Sequence, residues 1–185
     1  MRELILGGQR SGKSRCAERR AAGWLAQTGH EAVLLATALA GDDEMRERIA
    51  QHRRARAEPV PGLPTEEVPR ELAQALLRHS APRRMLVVDC LTLWLTNLLM
   101  PLQGAALDGP AWARKRSALC DAPQGASGPV VLVSNEIGLG LAPLTREARR
   151  FVDELGRLHQ EVAELCPHVT LMVAGIEVAV KRSAA

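Results

Sequence analysis

Five short apolar runs punctuate the chain, at residues 4–6, 32–37, 85–89, 130–136 and 169–174, and each has the length of a buried strand rather than of a helix. Between them the sequence turns helix-compatible. Residues 15–22 mix Ala with Arg and Glu. Residues 44–56 follow the helix-starting cluster Gly41-Asp42-Asp43 and place Met45, Ile49 and His52 on one face. Residues 66–79 predict a further helix with Leu72, Leu76 and Leu77 as its apolar side. Residues 91–102 and 143–163 predict two more, the last long and amphipathic. Pro59, Pro61 and Pro64 impose an irregular stretch, and residues 103–129 are Gly-, Ala- and Pro-rich around one weak helical patch at Trp112. Strands that alternate with helices, without short hairpin turns, predict an α/β fold: a mostly parallel sheet with helices on both faces. The expectation is one domain over residues 1–185, with no internal repeat and no linker.

The first strand runs straight into Gly7-Gly8-Gln9-Arg10-Ser11-Gly12-Lys13-Ser14, a G-x-x-x-x-G-K-S phosphate-binding signature followed by a helix. In such a turn successive backbone N–H groups point inward around an anion, and the helix adds the positive end of its dipole. Gly7 and Gly12 allow backbone angles and close approaches that a side chain would block. Lys13 then reaches the terminal phosphates, and Ser14 offers a hydroxyl to Mg²⁺. In a parallel sheet ligands gather at the carboxyl ends of the strands, so Gly7, Thr37, Asp89, Asn135 and Glu136 are expected on one rim. Asp89, closing the run Met85-Leu86-Val87-Val88, fits a second carboxylate-to-Mg²⁺ position or the cap of the next turn.

Composition narrows the function further. A net charge of +3, from 24 basic and 21 acidic residues, is too balanced for a nucleic-acid stripe or a membrane patch, and leaves anionic small molecules as partners. Aromatic residues make up 2% and tyrosine is absent, which removes the stacking platforms of single-strand binders. Cys16, Cys90, Cys120 and Cys166 are scattered, without a C-x-x-C pair or zinc spacing, and are expected as free thiols. No run approaches the roughly 20 apolar residues of a membrane span and the start lacks a signal-peptide design, so a reducing cytoplasm is the expected compartment. His52 stands among Arg53, Arg54 and Arg56. Read alone, it is part of a solvated basic helix face, or an imidazole that attacks phosphorus while guanidiniums hold the phosphates. His30, His79, His159 and His168 show no such company in the sequence.

Several blocks taken together resemble one family: G-G-Q-R-S-G-K-S at Gly7, A-T-A at Ala36, D-D-E-M-x-x-R-I-x-x-H-R from Asp42, D-C-L-T-L-W-L-T-N-L-L from Asp89 and V-S-N-E-I-G-L-G-L-A-P from Val133. The chain resembles, over nearly its full length, the bifunctional adenosylcobinamide kinases and adenosylcobinamide-phosphate guanylyltransferases of the cobalamin pathway. The resemblance implies a RecA-like P-loop NTPase domain that phosphorylates adenosylcobinamide with ATP or GTP. It further implies that GTP then guanylylates a histidine, here His52, from which the phosphorylated cobinamide takes GMP to give adenosyl-GDP-cobinamide. Implied nucleotide contacts are Gly7, Gly8, Gln9, Arg10, Ser11, Gly12, Lys13 and Ser14, then Ala36, Thr37 and Ala38, then Arg53, Arg54, Ala55 and Arg56, with Glu67 and Asp89. Ser14 and Asp89 are the implied Mg²⁺ residues, and the implied assembly is a homotrimer.

The chain departs from the family's R-P-x-x-W-x-T-x-E pattern, with Ala57 after Arg56, Leu63 at the Trp position and about three residues inserted before Thr65. Glu67 aligns with the final carboxylate, which would accept from guanine N1–H and its exocyclic amine. Other departures are a shortened middle around residues 103–127 and His159, where a G-x-x-N-Q pattern would have Asn. Arg146, Arg149 and Arg150 suit a phosphate role or an exposed basic face equally. Two other readings stay open: a monofunctional P-loop kinase of a small alcohol that has lost guanine selection, and a non-catalytic nucleotide-binding assembly module.

Overall fold

The computed structural model describes residues 1–39, 60 and 63–182. The helix expected over residues 44–56 lies outside that set. The described chain runs β1 (Arg2–Gly7), α1 (Lys13–Leu25), β2 (Glu31–Ala36), β3 (Thr65–Glu67), α2 (Leu72–His79), β4 (Arg84–Asp89), α3 (Leu91–Leu99), α4 (Gly109–Gly125), β5 (Val130–Val133), α5 (Arg146–Leu165), β6 (His168–Val173) and β7 (Ile176–Arg182). The described strands form a seven-stranded sheet in the order β3-β2-β4-β5-β1-β6-β7, with every pairing parallel except β6 with β7.

Strand side chains alternate between the two faces, and both faces are dry, which is why the central strands read as unbroken apolar runs. Leu4, Leu86, Val88, Val130 and Leu132 join Leu76, Trp94, Leu98, Trp112, Leu119 and Leu158 in one core, beneath α2 to α5. Ile5, Val87, Val131 and Val133 turn the other way, onto Cys16, Ala17 and Ala21 of α1. Small residues on that helix let it lie close to the sheet, and close approach aims its N-terminus at the end of β1. Each fully buried large side chain contributes about 1.5–3 kcal/mol by leaving water. The four cysteines are free, and burial pushes the Cys90 thiol up to about 12 and Cys16 to about 11, so neither is a nucleophile near neutrality. Among the described residues no helix is long and apolar enough to cross a membrane.

Three elements differ from the sequence reading. Residues 66 and 67 belong to strand β3 instead of opening a helix, because they pair with β2 and Pro69, with no N–H and a ring that crowds the preceding turn, disfavours a helix running through it, and α2 starts only at Leu72. In α2 Leu72, Ala75 and Leu76 are buried while Leu77 is 54% exposed. A tight hairpin exists after all: Ala174 (φ 50°) and Gly175 (φ 81°) make the two-residue turn with both φ positive that joins β6 to β7. The weak patch at Trp112 is a 17-residue helix, α4, in which Asp108 accepts from the Ala111 N–H at 2.7 Å and Pro110 occupies the first turn, where its missing N–H costs nothing.

One buried charge ties the edge of the sheet to α1. Glu3 is 4% exposed and receives Arg20 Nε at 2.9 Å, Arg20 Nη2 at 3.1 Å and the Thr170 hydroxyl at 2.8 Å, while Arg20 also reaches Glu177 on β7 at 2.6 Å. Removing the guanidinium strands a carboxylate in the interior. Arg20→Ala is therefore expected to cost about 3 kcal/mol, a drop of roughly 6–12 °C in melting temperature, and Arg20→Ala combined with Glu3→Ala to recover part of it in thermal unfolding.

Candidate functional site

The loop between β1 and α1 is shaped by its glycines. Gly7 has φ 152°, and a Cβ placed there would lie 2.6 Å from the Met172 carbonyl oxygen and 2.6 Å from Ser11 Oγ. Gly12 has φ 99° and Arg10 φ 55°, so the chain curls back on itself and the Ser11 N–H reaches the Gly8 carbonyl at 3.2 Å. The hairpin turn clips this loop from outside, with the Gly175 N–H donating to the Ser11 carbonyl at 2.9 Å. Helix α1 then begins at Lys13 with Gly12 as its N-cap, no side-chain cap and no acidic residue in its first turn. Its end is thus a set of unsatisfied N–H groups and an uncompensated positive dipole, the electrostatics of an anion site.

Lys13 is 8% exposed, and its Nζ donates to the Gly8 carbonyl at 2.6 Å and lies 3.5 Å from Ser11 Oγ. Burial lowers its pKa from the ordinary lysine value, and the nearby Cys90 and Asp89 oppose that shift. Ser14 is half-buried in the first turn of α1, whereas Gln9 and Arg10 are exposed at the loop tip.

Register brings the other rim residues level with this loop. Ala36 pairs with Asp89, Asp89 with Val133, Val133 with Ile5, and Gly7 with Met172. Glu67 pairs with Ala36 on the far side, four strands from β1, about 19 Å at the usual strand spacing. Asp89 is half-buried beside this rim, and Ala38 is half-buried after β2. Thr37 is wholly buried, and its hydroxyl is occupied: it donates to the Cys90 carbonyl at 2.6 Å and accepts from the Cys90 N–H at 2.8 Å, while the Thr37 N–H bonds the Asp89 carbonyl at 3.1 Å. Asn97 holds the Thr37 carbonyl at 2.8 Å. Thr37 is a staple that sets the backbone around Asp89. Thr37→Val keeps the shape and leaves the Cys90 backbone groups unpaired, so it is expected to cost about 1–3 kcal/mol, while Thr37→Ser retains stability; urea unfolding measures both.

Ser14 and Asp89 offer hard oxygen donors of the kind Mg²⁺ takes alongside phosphates and water, and among the described residues no group of three His, Cys, Asp or Glu side chains could hold a metal ion by itself. His52, Arg53, Arg54, Ala55 and Arg56 lie outside the described residues. Arg146, Arg149 and Arg150 are exposed on α5, and Arg149 Nη1 caps the Leu144 carbonyl at 2.7 Å.

One part of the rim was missed in the sequence. His159 does have company: its Nε2 lies 2.7 Å from Ser134 Oγ, and its Nδ1 lies 3.6 Å from Glu136 Oε2. Burial lowers its pKa from the ordinary histidine value, against the pull of the Glu136 carboxylate. A signal was present, since His159 falls in phase with Leu155, Leu158 and Val162, the buried stripe of α5.

The cobinamide kinase / cobinamide phosphate guanyltransferase family model matches residues 3–180. The chain is 49% identical over 181 residues to the bifunctional adenosylcobalamin biosynthesis protein CobP of Pseudomonas aeruginosa, covering 98% of each. It is 35% identical over 187 residues to CobU of Escherichia coli, another bifunctional adenosylcobalamin biosynthesis protein, covering 96% of this chain and 98% of that one. Among solved structures it is similar in fold to the flagellar accessory protein FlaH of Methanocaldococcus jannaschii, with TM-score 0.53, 11% identity and coverage of 98% of this chain and 78% of that chain. A second solved structure, an ATPase domain, gives TM-score 0.50 at 12% identity, covering 92% of this chain and 68% of that one. The fold is that of a P-loop NTPase domain, and with a glycine-cradled lysine at its rim and a family match over almost its entire length, the chain belongs to the cobinamide kinase / cobinamide phosphate guanyltransferase family.

Proposed function

We propose that this chain carries out both reactions of its family in cobalamin biosynthesis: phosphorylation of adenosylcobinamide with ATP or GTP, then transfer of GMP from GTP to the product. The observation that carries the reading is the uncapped N-terminus of α1 behind the glycine loop, with the Lys13 ammonium drawn inside it. In the first reaction the loop N–H groups and Lys13 hold the phosphates while the cobinamide alcohol takes the terminal phosphoryl group. Ser14 and Asp89 would hold Mg²⁺, which would supply neutralisation of phosphate charge during transfer. In the second, the His52 imidazole forms a bond to the α-phosphorus of GTP and pyrophosphate leaves with the electron pair. A phosphate oxygen of the phosphorylated cobinamide then attacks the same phosphorus, and His52 is released. Arg53, Arg54, Ala55 and Arg56, with Ala36, Thr37 and Ala38, complete the nucleotide contacts in this reading, and Glu67 selects guanine.

A homotrimer in the cytoplasm belongs to the same proposal. Apolar surface left uncovered supports self-association, without setting the number of copies or the compartment: Ile176 and Val180 of β7 are 67% and 62% exposed, and Leu139, Leu141 and Leu144 are 84%, 99% and 94% exposed. The test of function follows the corrinoid through successive additions by chromatography and mass spectrometry. Adenosylcobinamide with ATP should give the phosphate ester, and subsequent GTP should give adenosyl-GDP-cobinamide. An ester that goes no further identifies a monofunctional kinase, and nucleotide binding without either product identifies an assembly module.

A further inference from the structure

The chain of side chains behind the rim has a definite direction. At its buried end the Asn135 N–H donates to Thr92 Oγ1 at 2.8 Å, Thr92 Oγ1 lies 3.0 Å from Ser134 Oγ, and Ser134 Oγ lies 2.7 Å from His159 Nε2. With Thr92 donating to Ser134 and Ser134 to Nε2, the ring carries its proton on Nδ1, facing Glu136 Oε2 at 3.6 Å. Serine, histidine and carboxylate in this order look like a hydrolytic triad, but Ser134 has no exposed surface and is bonded to Thr92, so it attacks nothing. The exposed member is the carboxylate. Glu136 keeps 23% of its side-chain surface and stands just beyond β5, between β1 with the phosphate loop and β4 with Asp89.

Glu136 is anchored from two further sides. Its N–H donates to the Gly7 carbonyl at 3.0 Å, which fastens it to the first residue of the phosphate loop, and its Oε1 accepts from the Gly138 N–H at 2.7 Å. Oε2 faces His159 Nδ1 at 3.6 Å, longer than a full hydrogen bond, so the Gly138 N–H fixes one oxygen while the imidazole orients the other electrostatically and leaves it capacity to accept a proton. Asp89 is committed to Mg²⁺ in the proposed reaction, and Glu67 sits across the sheet on β3.

We propose that Glu136 is the general base of the phosphorylation step and that His159 is a positioning residue that aims it. The inference rests on the kinase reading above. In the step the substrate alcohol oxygen forms its bond to the γ-phosphorus, the bond from that phosphorus to the β–γ bridging oxygen breaks, and the electron pair leaves on the nucleoside diphosphate. The alcohol proton passes to Glu136 Oε2.

The experiment compares wild type with Glu136→Gln, His159→Ala and His159→Gln in adenosylcobinamide phosphorylation, with ATP affinity and thermal unfolding measured on each protein. Glu136→Gln, nearly isosteric, should lower kcat about a hundredfold or more with KM for ATP and ATP affinity within about threefold of wild type. His159→Ala should lower kcat about tenfold at unchanged ATP affinity, and His159→Gln, which can still donate toward Glu136, should recover most of that loss. A Glu136→Gln kcat within threefold of wild type overturns the proposal, as does a loss that appears wholly in ATP affinity or melting temperature. If His159→Ala and His159→Gln fall equally, the positioning role is overturned. Wild type that phosphorylates no cobinamide defeats the kinase reading itself, a separate result read before any variant.

Discussion

Lys13→Ala is expected to lower both the phosphorylation of adenosylcobinamide and GMP transfer by about a thousandfold while leaving the melting temperature unchanged or slightly raised. The two effects have one origin. The ammonium is 8% exposed and its burial depresses its pKa, so the folded chain bears a desolvation cost that alanine removes. That stored cost places a full charge inside the glycine loop, against the Gly8 carbonyl at 2.6 Å, where in the proposed reactions it would stabilise developing phosphate charge without reorganisation. Lys13→Arg should not rescue activity, because a planar guanidinium does not fit the space of a point charge held that closely. Steady-state kinetics of each reaction, with thermal unfolding of the same protein, measure the pair of effects.

Gly7→Ala is expected to act on structure and binding together. The added methyl would lie 2.6 Å from the Met172 carbonyl oxygen, which is backbone, and at φ 152° no rotation of a side chain relieves it. Either β1 or β6 must move, and with it the Gly7 carbonyl that receives the Glu136 N–H at 3.0 Å. Overpacking and backbone strain together cost about 3 kcal/mol, roughly 6–12 °C in melting temperature, and nucleotide affinity should fall about a hundredfold or more. Gly8→Ala is the comparison, since a methyl there meets nothing within 4 Å and its backbone φ is not positive. Its stability should stay within about 0.5 kcal/mol of wild type. Calorimetric nucleotide binding and thermal unfolding distinguish the two glycines.

The central strands were legible because they are buried on both faces, so β5 and the interior of β4 between Arg84 and Asp89 are continuous Met, Leu and Val with no polar interruption. Their carboxyl ends could then be placed on one rim, and the register of Ala36, Asp89, Val133 and Ile5 bears this out. Edge strands were illegible for the complementary reason. Thr65-Glu66-Glu67 has no apolar residue to announce a strand and owes its conformation to pairing with β2, a tertiary effect. In β7 the apolar positions Ile176, Val178 and Val180 alternate with Glu177, Ala179 and Lys181, but all seven residues of the strand are exposed, so no burial reinforces the pattern.

The site divides along similar lines. The glycine loop, Lys13 and Asp89 are local in sequence, each with its own strand, and could be read as a motif. His159 could not, because Ser134 and Glu136 approach it only once α5 packs beside β5, and a lone histidine in a polar helix carries no mark of its partners. Thr37 was legible in position, and its hydroxyl turns out to serve the Cys90 backbone.

If His52 carries GMP covalently, as proposed above, intact-protein mass measurement after incubation with GTP and Mg²⁺ will register it. Wild type should gain the mass of one GMP, stable in base and lost in acid, with release of pyrophosphate; Lys13→Ala should gain little and His52→Ala none. Wild type that releases no pyrophosphate and gains no mass would rule out a covalent GMP carrier, and an adduct that persists in His52→Ala would rule out His52 as its site.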